Sequence, residues 1–169
     1  MIELGVYRAA FVPALLAAVL AMFSLEARPR PLPQGLAADV LFDGRAAAAR
    51  AAAIAEQNPD RRAGSPGDRA TARLVISQLE QRGFPVDVDR FSHAGRDLVN
   101  VIGRRAGRTR RQIVVVADRD AAAGPDATGS ASDTAALLEL ARVFEGRSTT
   151  KTLVLASLDG STLGEVGAI

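Results

Sequence analysis

The sequence contains no cysteine and a single histidine, His93, among its 169 residues. A chain without cysteine cannot form disulfide bonds, and it cannot bind a metal ion through thiolates. His93 lies in a polar stretch ahead of a predicted strand, away from the motifs that point to a function. The two side chains that zinc sites use most are therefore nearly absent.

An excess of charge of one sign is also lacking. The 21 basic and 19 acidic residues leave a formal net charge of +2, and every basic residue except Lys151 is an arginine. This balance is too even to indicate nucleic-acid binding, because such domains carry a concentrated positive patch. We therefore predict no nucleic-acid partner.

A long apolar run lies near the N-terminus, from Ala9 to Leu25. It is slightly shorter than the roughly 20 residues that span a bilayer, but residues 4–7 can lengthen it while Arg8 reaches toward the membrane surface. A cleaved signal peptide is one alternative, although the positions after the run lack the small residues that cleavage requires. A buried soluble helix is another. We expect residues 1–27 to form an uncleaved anchor with a single membrane span.

Residues 28–40 follow as a proline-rich linker that begins Arg-Pro-Arg-Pro-Leu-Pro. Closely spaced prolines favour an extended spacer over a helix. Further along the chain, the turn at residues 103–111 holds five arginines. A solvated hairpin tip accounts for them, and contact with anionic lipid head groups is the alternative.

Residues 41–169 show the pattern of one α/β domain. Apolar periodicity and helix-ending residues predict three helices, at residues 45–56, 68–82 and 133–145. Ser132 or Asp133 can cap the last of them. Runs rich in valine and isoleucine predict four strands, at residues 85–91, 98–103, 112–117 and 152–158. The run Ile113–Ala117 is apolar throughout, which is typical of a strand covered on both faces. This order predicts a three-layer sandwich with a mixed β-sheet.

Four segments occur in an order that points to one enzyme family. They are Arg62-Ala-Gly-Ser-Pro-Gly-Asp68, Val114-Val-Val-Ala-Asp-Arg-Asp120, Gly124-Pro-Asp-Ala-Thr-Gly-Ser-Ala-Ser132 and Leu155-Ala-Ser-Leu-Asp-Gly160. Together they resemble the co-catalytic di-zinc aminopeptidases, metallopeptidase family 28, which include leucyl aminopeptidases and the ectodomains of glutamate carboxypeptidase and the transferrin receptor. The resemblance covers roughly residues 60–169. Because the family's domain runs further, it implies a truncated, zinc-peptidase-like domain in residues 41–169.

The resemblance also implies where metal ligands would stand, and other residues occupy those positions. The family's His-x-Asp motif corresponds to Asp118 and Asp120, so its histidine is missing. The zinc-bridging aspartate corresponds to Gly129, and the following pair of glutamates corresponds to Ser161 and Thr162. Glycine and hydroxyl side chains cannot replace a bridging carboxylate, a zinc ligand or a general base. We therefore predict no catalytic residue and no metal ligand here, and no bound zinc, although zinc is the family's cofactor.

These observations predict a membrane-anchored, aminopeptidase-like domain without catalysis, exposed outside the cytoplasm, that binds a peptide or protein partner. One alternative is an active hydrolase with a rebuilt carboxylate site suited to Mg²⁺ or Ca²⁺, formed by Asp118, Asp120, Asp126, Asp133 and Asp159. A serine nucleophile at Ser130 or Ser132 is weaker, because the sole histidine is distant in sequence. A non-functional remnant of a longer gene is the third alternative.

Overall fold

The computed structural model describes residues 11–20 and 42–168. Residues 11–20 form a helix, α1, with exposed side chains, and they belong to a different unit of the chain from residues 42–168. Within these two ranges, no helix has both the length and the apolar character needed to cross a membrane. The rest of the predicted anchor and the linker at 28–40 lie outside the described residues.

Three α-helices follow in residues 42–168, and side chains cap the first turns of two of them. Helix α2 spans Gly44–Gln57, and the Asp43 carboxylate accepts hydrogen bonds from the first backbone N–H groups. Helix α3 spans Pro66–Gln81, with the Ser65 hydroxyl as its cap and Pro66 in its first turn. Helix α4 spans Ser130–Val143, so it begins before the predicted Ser132 or Asp133 cap.

Within residues 42–168, four strands form one mixed sheet, as predicted. They are β1 (Val86–His93), β2 (Arg96–Arg105), β3 (Thr109–Asp118) and β4 (Lys151–Leu158), in the spatial order β1-β2-β4-β3. Strand β2 is antiparallel to β1 and β4, whereas β3 and β4 are parallel and joined through α4. Strands β1 and β2 are longer than predicted because a tight turn at Ala94 and Gly95, both with positive φ, joins them directly.

The core lies between one face of this sheet and helices α3 and α4. Val75 and Leu79 of α3 and Leu137 of α4 pack there against Val101 and Leu155 of the sheet. Helix α2 lies outside α4 and packs on it through small residues in a second cluster, Ala51, Ile54, Ala55, Ala131 and Ala135.

The opposite face of the sheet differs from prediction. Helices α2–α4 do not pack against it, so within residues 42–168 the helices lie on one side of the sheet and not on both sides, as the predicted three-layer sandwich requires. Val114 and Val116 point to this face and are 56% and 55% exposed. The apolar run of β3 was therefore a misleading signal, because a continuous run of valines does not distinguish a covered strand from an edge strand.

Candidate functional site

The predicted site positions gather at one edge of the sheet, where the parallel strands β3 and β4 end. Asp118 is the last residue of β3 and Asp120 follows it, while Ser161 and Thr162 follow β4. Gly129 directly precedes α4. The carboxyl ends of parallel strands are where α/β folds place their sites, and the structure brings these segments together there.

Asp120 is fully engaged by the two residues that stand at the family's glutamate positions. Its Oδ1 accepts hydrogen bonds from the Ser161 backbone N–H (2.9 Å) and hydroxyl (2.8 Å), and its Oδ2 accepts from the Thr162 N–H (3.0 Å) and hydroxyl. Burial acts to raise the pKa of Asp120, but the hydrogen bonds from Thr162 and Ser161 outweigh it and hold that pKa below its ordinary value. The carboxylate thus caps the turn after β4 with both oxygens.

Asp118 and Asp133 face a shallow groove beside the end of β3. Burial raises the pKa of Asp118, and the negative charge of Asp120 adds to the effect. Burial likewise raises the pKa of Asp133, helped by the charges of Asp118 and Asp126. The groove has a volume of about 440 Å³ and is lined by Val115, Val116, Ala117, Asp118, Asp133, Ala136, Leu137, Leu140 and Glu165.

The position of the bridging ligand, Gly129, is crowded by another carboxylate. A Cβ atom at Gly129 would lie 2.4 and 2.5 Å from the two carboxylate oxygens of Asp126. Asp126 has a φ of +41° and accepts hydrogen bonds at Oδ2 from the Ser130 N–H (2.9 Å) and hydroxyl (3.0 Å). It therefore caps α4 from three residues before Gly129, and it fills the space that a side chain at Gly129 would need.

A buried arginine fixes this loop. Arg61 is 1% exposed and donates to the carbonyl oxygens of Asn58, Pro125 and Asp126 and to the Ser130 hydroxyl, over 2.9–3.2 Å. Burial lowers its pKa. No sequence motif indicated Arg61. Its only local signal is its place beside the Arg62–Asp68 segment.

A second buried arginine joins three elements beneath the site. The Arg119 guanidinium contacts both oxygens of Asp68 (2.7 and 3.1 Å) and Oδ2 of Asp159 (3.4 Å), and all three side chains are fully buried. Asp159 also accepts from the backbone N–H groups of Gly64 and Val99. Burial raises the pKa of Asp68 to about 7, against the attraction of Arg119 and with help from Asp159. Sequence reasoning missed this network, whose members are far apart along the chain.

The donor set does not fit the zinc ions that the family resemblance implies. In the two described ranges, no three histidine, cysteine, aspartate or glutamate side chains are placed to hold a metal ion, whereas catalytic zinc needs about three protein ligands. His93 ends β1, at the opposite edge of the sheet from β3. The Ser130 hydroxyl bonds Asp126 and Arg61, and the Ser132 hydroxyl bonds backbone carbonyls.

The five carboxylates of the alternative, rebuilt site do not converge either. Asp120 caps a turn, Asp126 caps a helix, and Asp159 belongs to the buried network with Arg119. Only Asp118 and Asp133 remain beside the groove.

No protein-family model and no curated protein matches the sequence. Solved structures do match by fold. A zinc aminopeptidase from Bacillus subtilis has a TM-score of 0.69 at 14% identity, covering 76% of this chain and 64% of its own. A leucine aminopeptidase precursor from Bacteroides thetaiotaomicron matches with a TM-score of 0.62 at 21% identity, and the match covers 70% of this chain and 47% of the precursor. A glutaminyl cyclase from Fimbriiglobus ruber matches with a TM-score of 0.63 at 18% identity, and the match covers 79% of this chain and 49% of the cyclase.

The chain thus spans about half the length of the last two structures and under two thirds of the first. Because the sequence identities are low, these matches show that the fold is shared and nothing beyond the fold. Residues 42–168 have the fold of the zinc-dependent aminopeptidases and exopeptidases, and they correspond to part of the length of those structures.

Proposed function

We propose that this chain is an aminopeptidase-like domain that does not carry out the di-zinc reaction and acts by binding a peptide or protein partner. The observation that supports this most directly is the engagement of Asp120 by Ser161 and Thr162. At three positions where the family resemblance implies zinc chemistry, Ser161 and Thr162 donate hydrogen bonds to Asp120. The core is kept while the donors are lost, and these are separable demands on a sequence.

An active hydrolase with a rebuilt carboxylate site is the weaker candidate. Asp118 and Asp133 have raised pKa values, and ionisable groups with shifted pKa values are common in catalytic sites. Only two of its five carboxylates line the groove, and no three acidic side chains of the described residues are placed to hold an ion, whereas a hard cation takes six or more oxygen ligands.

Zinc titration of the full chain tests whether the di-zinc reaction has been lost. We expect calorimetry to show no stoichiometric zinc binding, thermal unfolding to be unchanged by zinc, and aminopeptidase substrates to be left intact. Binding at 100 times Kd would stabilise the fold by about 2.7 kcal/mol, which is easily detected. The Asp118→Ala, Asp120→Ala double variant is the control. Stoichiometric zinc uptake that this variant loses, together with turnover, would show that the ligand assignment is wrong.

We also propose that residues 1–27 anchor the chain in a membrane with the domain outside the cytoplasm. The anchor is proposed from the apolar sequence between Ala9 and Leu25. The location outside the cytoplasm is proposed from the family resemblance, because members of that family are commonly exported. The described part of that run, α1, exposes the apolar side chains of Phe11, Val12, Leu15, Leu16, Val19 and Leu20.

Deleting residues 1–27 should move the protein from the membrane fraction to the soluble fraction. A milder variant, Leu16→Arg, should reduce membrane insertion, because an arginine at the centre of a span costs about 2.5–3.5 kcal/mol on the insertion scale. Fractionation with carbonate and with high salt measures both. A deleted form that resists carbonate would refute the anchor, whereas one released by salt alone would indicate that the arginines of residues 103–111 bind lipid head groups.

A further inference from the structure

A shallow pocket lies at the end of the sheet where β4 begins, whereas the candidate site lies where β4 ends. The pocket has a volume of about 450 Å³. Three connections form its walls, namely the turn from α3 to β1, the turn from β2 to β3 and the loop from α4 to β4. The pocket shares no residue with the candidate site or with the groove beside Asp118.

The lining of this pocket is basic and polar. Three of its residues are arginines, Arg105, Arg108 and Arg147, and none is acidic. Ser148 and Thr149 add two hydroxyl groups, and the remaining lining residues are glycine or alanine. A cavity that offers guanidinium and hydroxyl groups without a carboxylate suits an anion, and the arginine fork matches the oxygens of a phosphate group.

Arg105 is fixed by the ends of two helices. Its guanidinium donates to the carbonyl oxygens of Arg82, which follows α3, and of Phe144, which follows α4. The same group lies 4.5 Å from the centre of the Phe84 ring. Carbonyl groups give the C-terminal end of a helix its partial negative charge, and Arg105 offsets that charge here. The two helix ends therefore oppose an anion less than free carbonyl groups would.

Arg108 is held by the loop that faces it across the pocket. Its guanidinium donates to the Thr150 hydroxyl (2.9 Å), and its backbone N–H donates to the carbonyl oxygen of Thr149 (3.0 Å). A side chain that is already positioned loses little conformational freedom when a ligand binds. Arg108 is thus prepared to meet an anion.

Two polar atoms of the lining residues lack a partner. Among the described residues, Nε of Arg105 and Oγ1 of Thr149 are buried and make no hydrogen bond. A buried polar group without a partner costs free energy. A ligand with several acceptor oxygens would remove that cost wherever it reached these atoms.

We propose that this pocket binds the phosphate ester of a small polyol, with Arg108 and Arg147 paired to the phosphate group. The volume is in the range of small-molecule sites and exceeds what a phosphate group alone needs. The lining has no large apolar side chain, so the rest of the ligand is polar and hydroxylated. A soluble sugar phosphate and the head group of a phosphoinositide lipid share this chemistry. This inference goes beyond the proposed function, because it holds whether or not the domain binds zinc or a peptide.

Calorimetry of the full chain in a non-ionic detergent tests the pocket with glucose phosphate and with glycerophosphoinositol phosphate, the soluble head group of a phosphoinositide. Both should bind, and glucose itself should not. The Arg108→Gln, Arg147→Gln variant should bind about tenfold more weakly or worse, because it loses charge-assisted contacts. The control, Arg45→Gln, Arg73→Gln, removes the same charge from exposed residues of α2 and α3 and should bind as the natural chain does.

A second pair of variants leaves every arginine in place. Ser148 is exposed, so Ser148→Asp and Ser148→Asn should both fold, and circular dichroism checks this. The added carboxylate should weaken binding about tenfold or more by repelling the phosphate, whereas asparagine should leave binding nearly unchanged.

The relative affinities of the two probes identify the source of the ligand. Tighter binding of the inositol compound supports the site and indicates a lipid head group, and tighter binding of glucose phosphate supports it and indicates a soluble metabolite. Three results would overturn the proposal: no binding of either probe by the natural chain, binding that survives both the double arginine variant and Ser148→Asp, or equal losses in Ser148→Asp and Ser148→Asn.

Discussion

Replacing Arg119 with methionine should destabilise the domain by about 3–5 kcal/mol, because it leaves carboxylates buried without a counter-charge. Methionine keeps much of the length of the side chain, so most of the loss reports on charge and hydrogen bonding. Asp68 and Asp159 both contact this guanidinium and are fully buried. Urea unfolding monitored by circular dichroism gives the free energy of unfolding directly.

The matched control is the exposed ion pair between Arg62 and Asp60. Its side chains are 64% and 54% exposed, so Arg62→Met should change the free energy of unfolding very little. Adding Asp68→Asn to the Arg119→Met variant should recover part of the loss, because asparagine is neutral at every pH, whereas the buried Asp68 must bind a proton to become neutral. If Arg119→Met and Arg62→Met cost the same, the buried network does not stabilise the fold in the way its geometry indicates.

The contribution of Asp68 to stability should fall as pH rises. Its pKa is near 3.8 when unfolded and about 7 when folded, so between these values the folded chain binds a proton that the unfolded chain has released. Stability from this proton is fully present below about pH 4 and is lost as pH rises through 7. Each unit of difference corresponds to about 1.4 kcal/mol, so the total is on the order of 4 kcal/mol.

The measurement is the free energy of unfolding at intervals from pH 5 to 8, for the natural chain and for Asp68→Asn. We expect the natural chain to lose stability relative to the variant as pH rises, because asparagine does not titrate. Asp60→Asn provides the comparison, since the pKa of Asp60 is lowered by its hydrogen bonds with Arg62 and its effect falls below this range. Parallel curves for the natural chain and Asp68→Asn would show that Asp68 has the same pKa in both states.

Local sequence patterns predicted the helices and strands of this fold, but they did not predict that one face of the sheet is left uncovered by helices α2–α4. The periodicity of α3 and the valine-rich runs of β3 and β4 gave elements within a few residues of their observed bounds, because these signals depend on near neighbours. The exposure of Val114 and Val116 depends on where β3 lies in the sheet. Strand order is a property of the whole chain, and no local window contains it.

The candidate site shows the same division. The family resemblance indicated Asp118, Asp120 and Ser161 as site positions, and the structure places all three at one edge of the sheet. The sequence did not reveal that Asp126 caps α4, since a cap usually lies next to its helix. Nor did it reveal the pair between Arg119 and Asp68, which are 51 residues apart in sequence.

The strand order also bears on how the chain folds as it is made. Strand β4 is the last of the four in sequence, yet it lies between β2 and β3. During synthesis from the N-terminus, β2 therefore has only β1 beside it, and β3 has no described neighbour until residues 151–158 have emerged. Pairing between distant segments is slow, and unpaired apolar strands are prone to aggregate. The valines of β3 thus need protection on the ribosome well before they meet their partner strand.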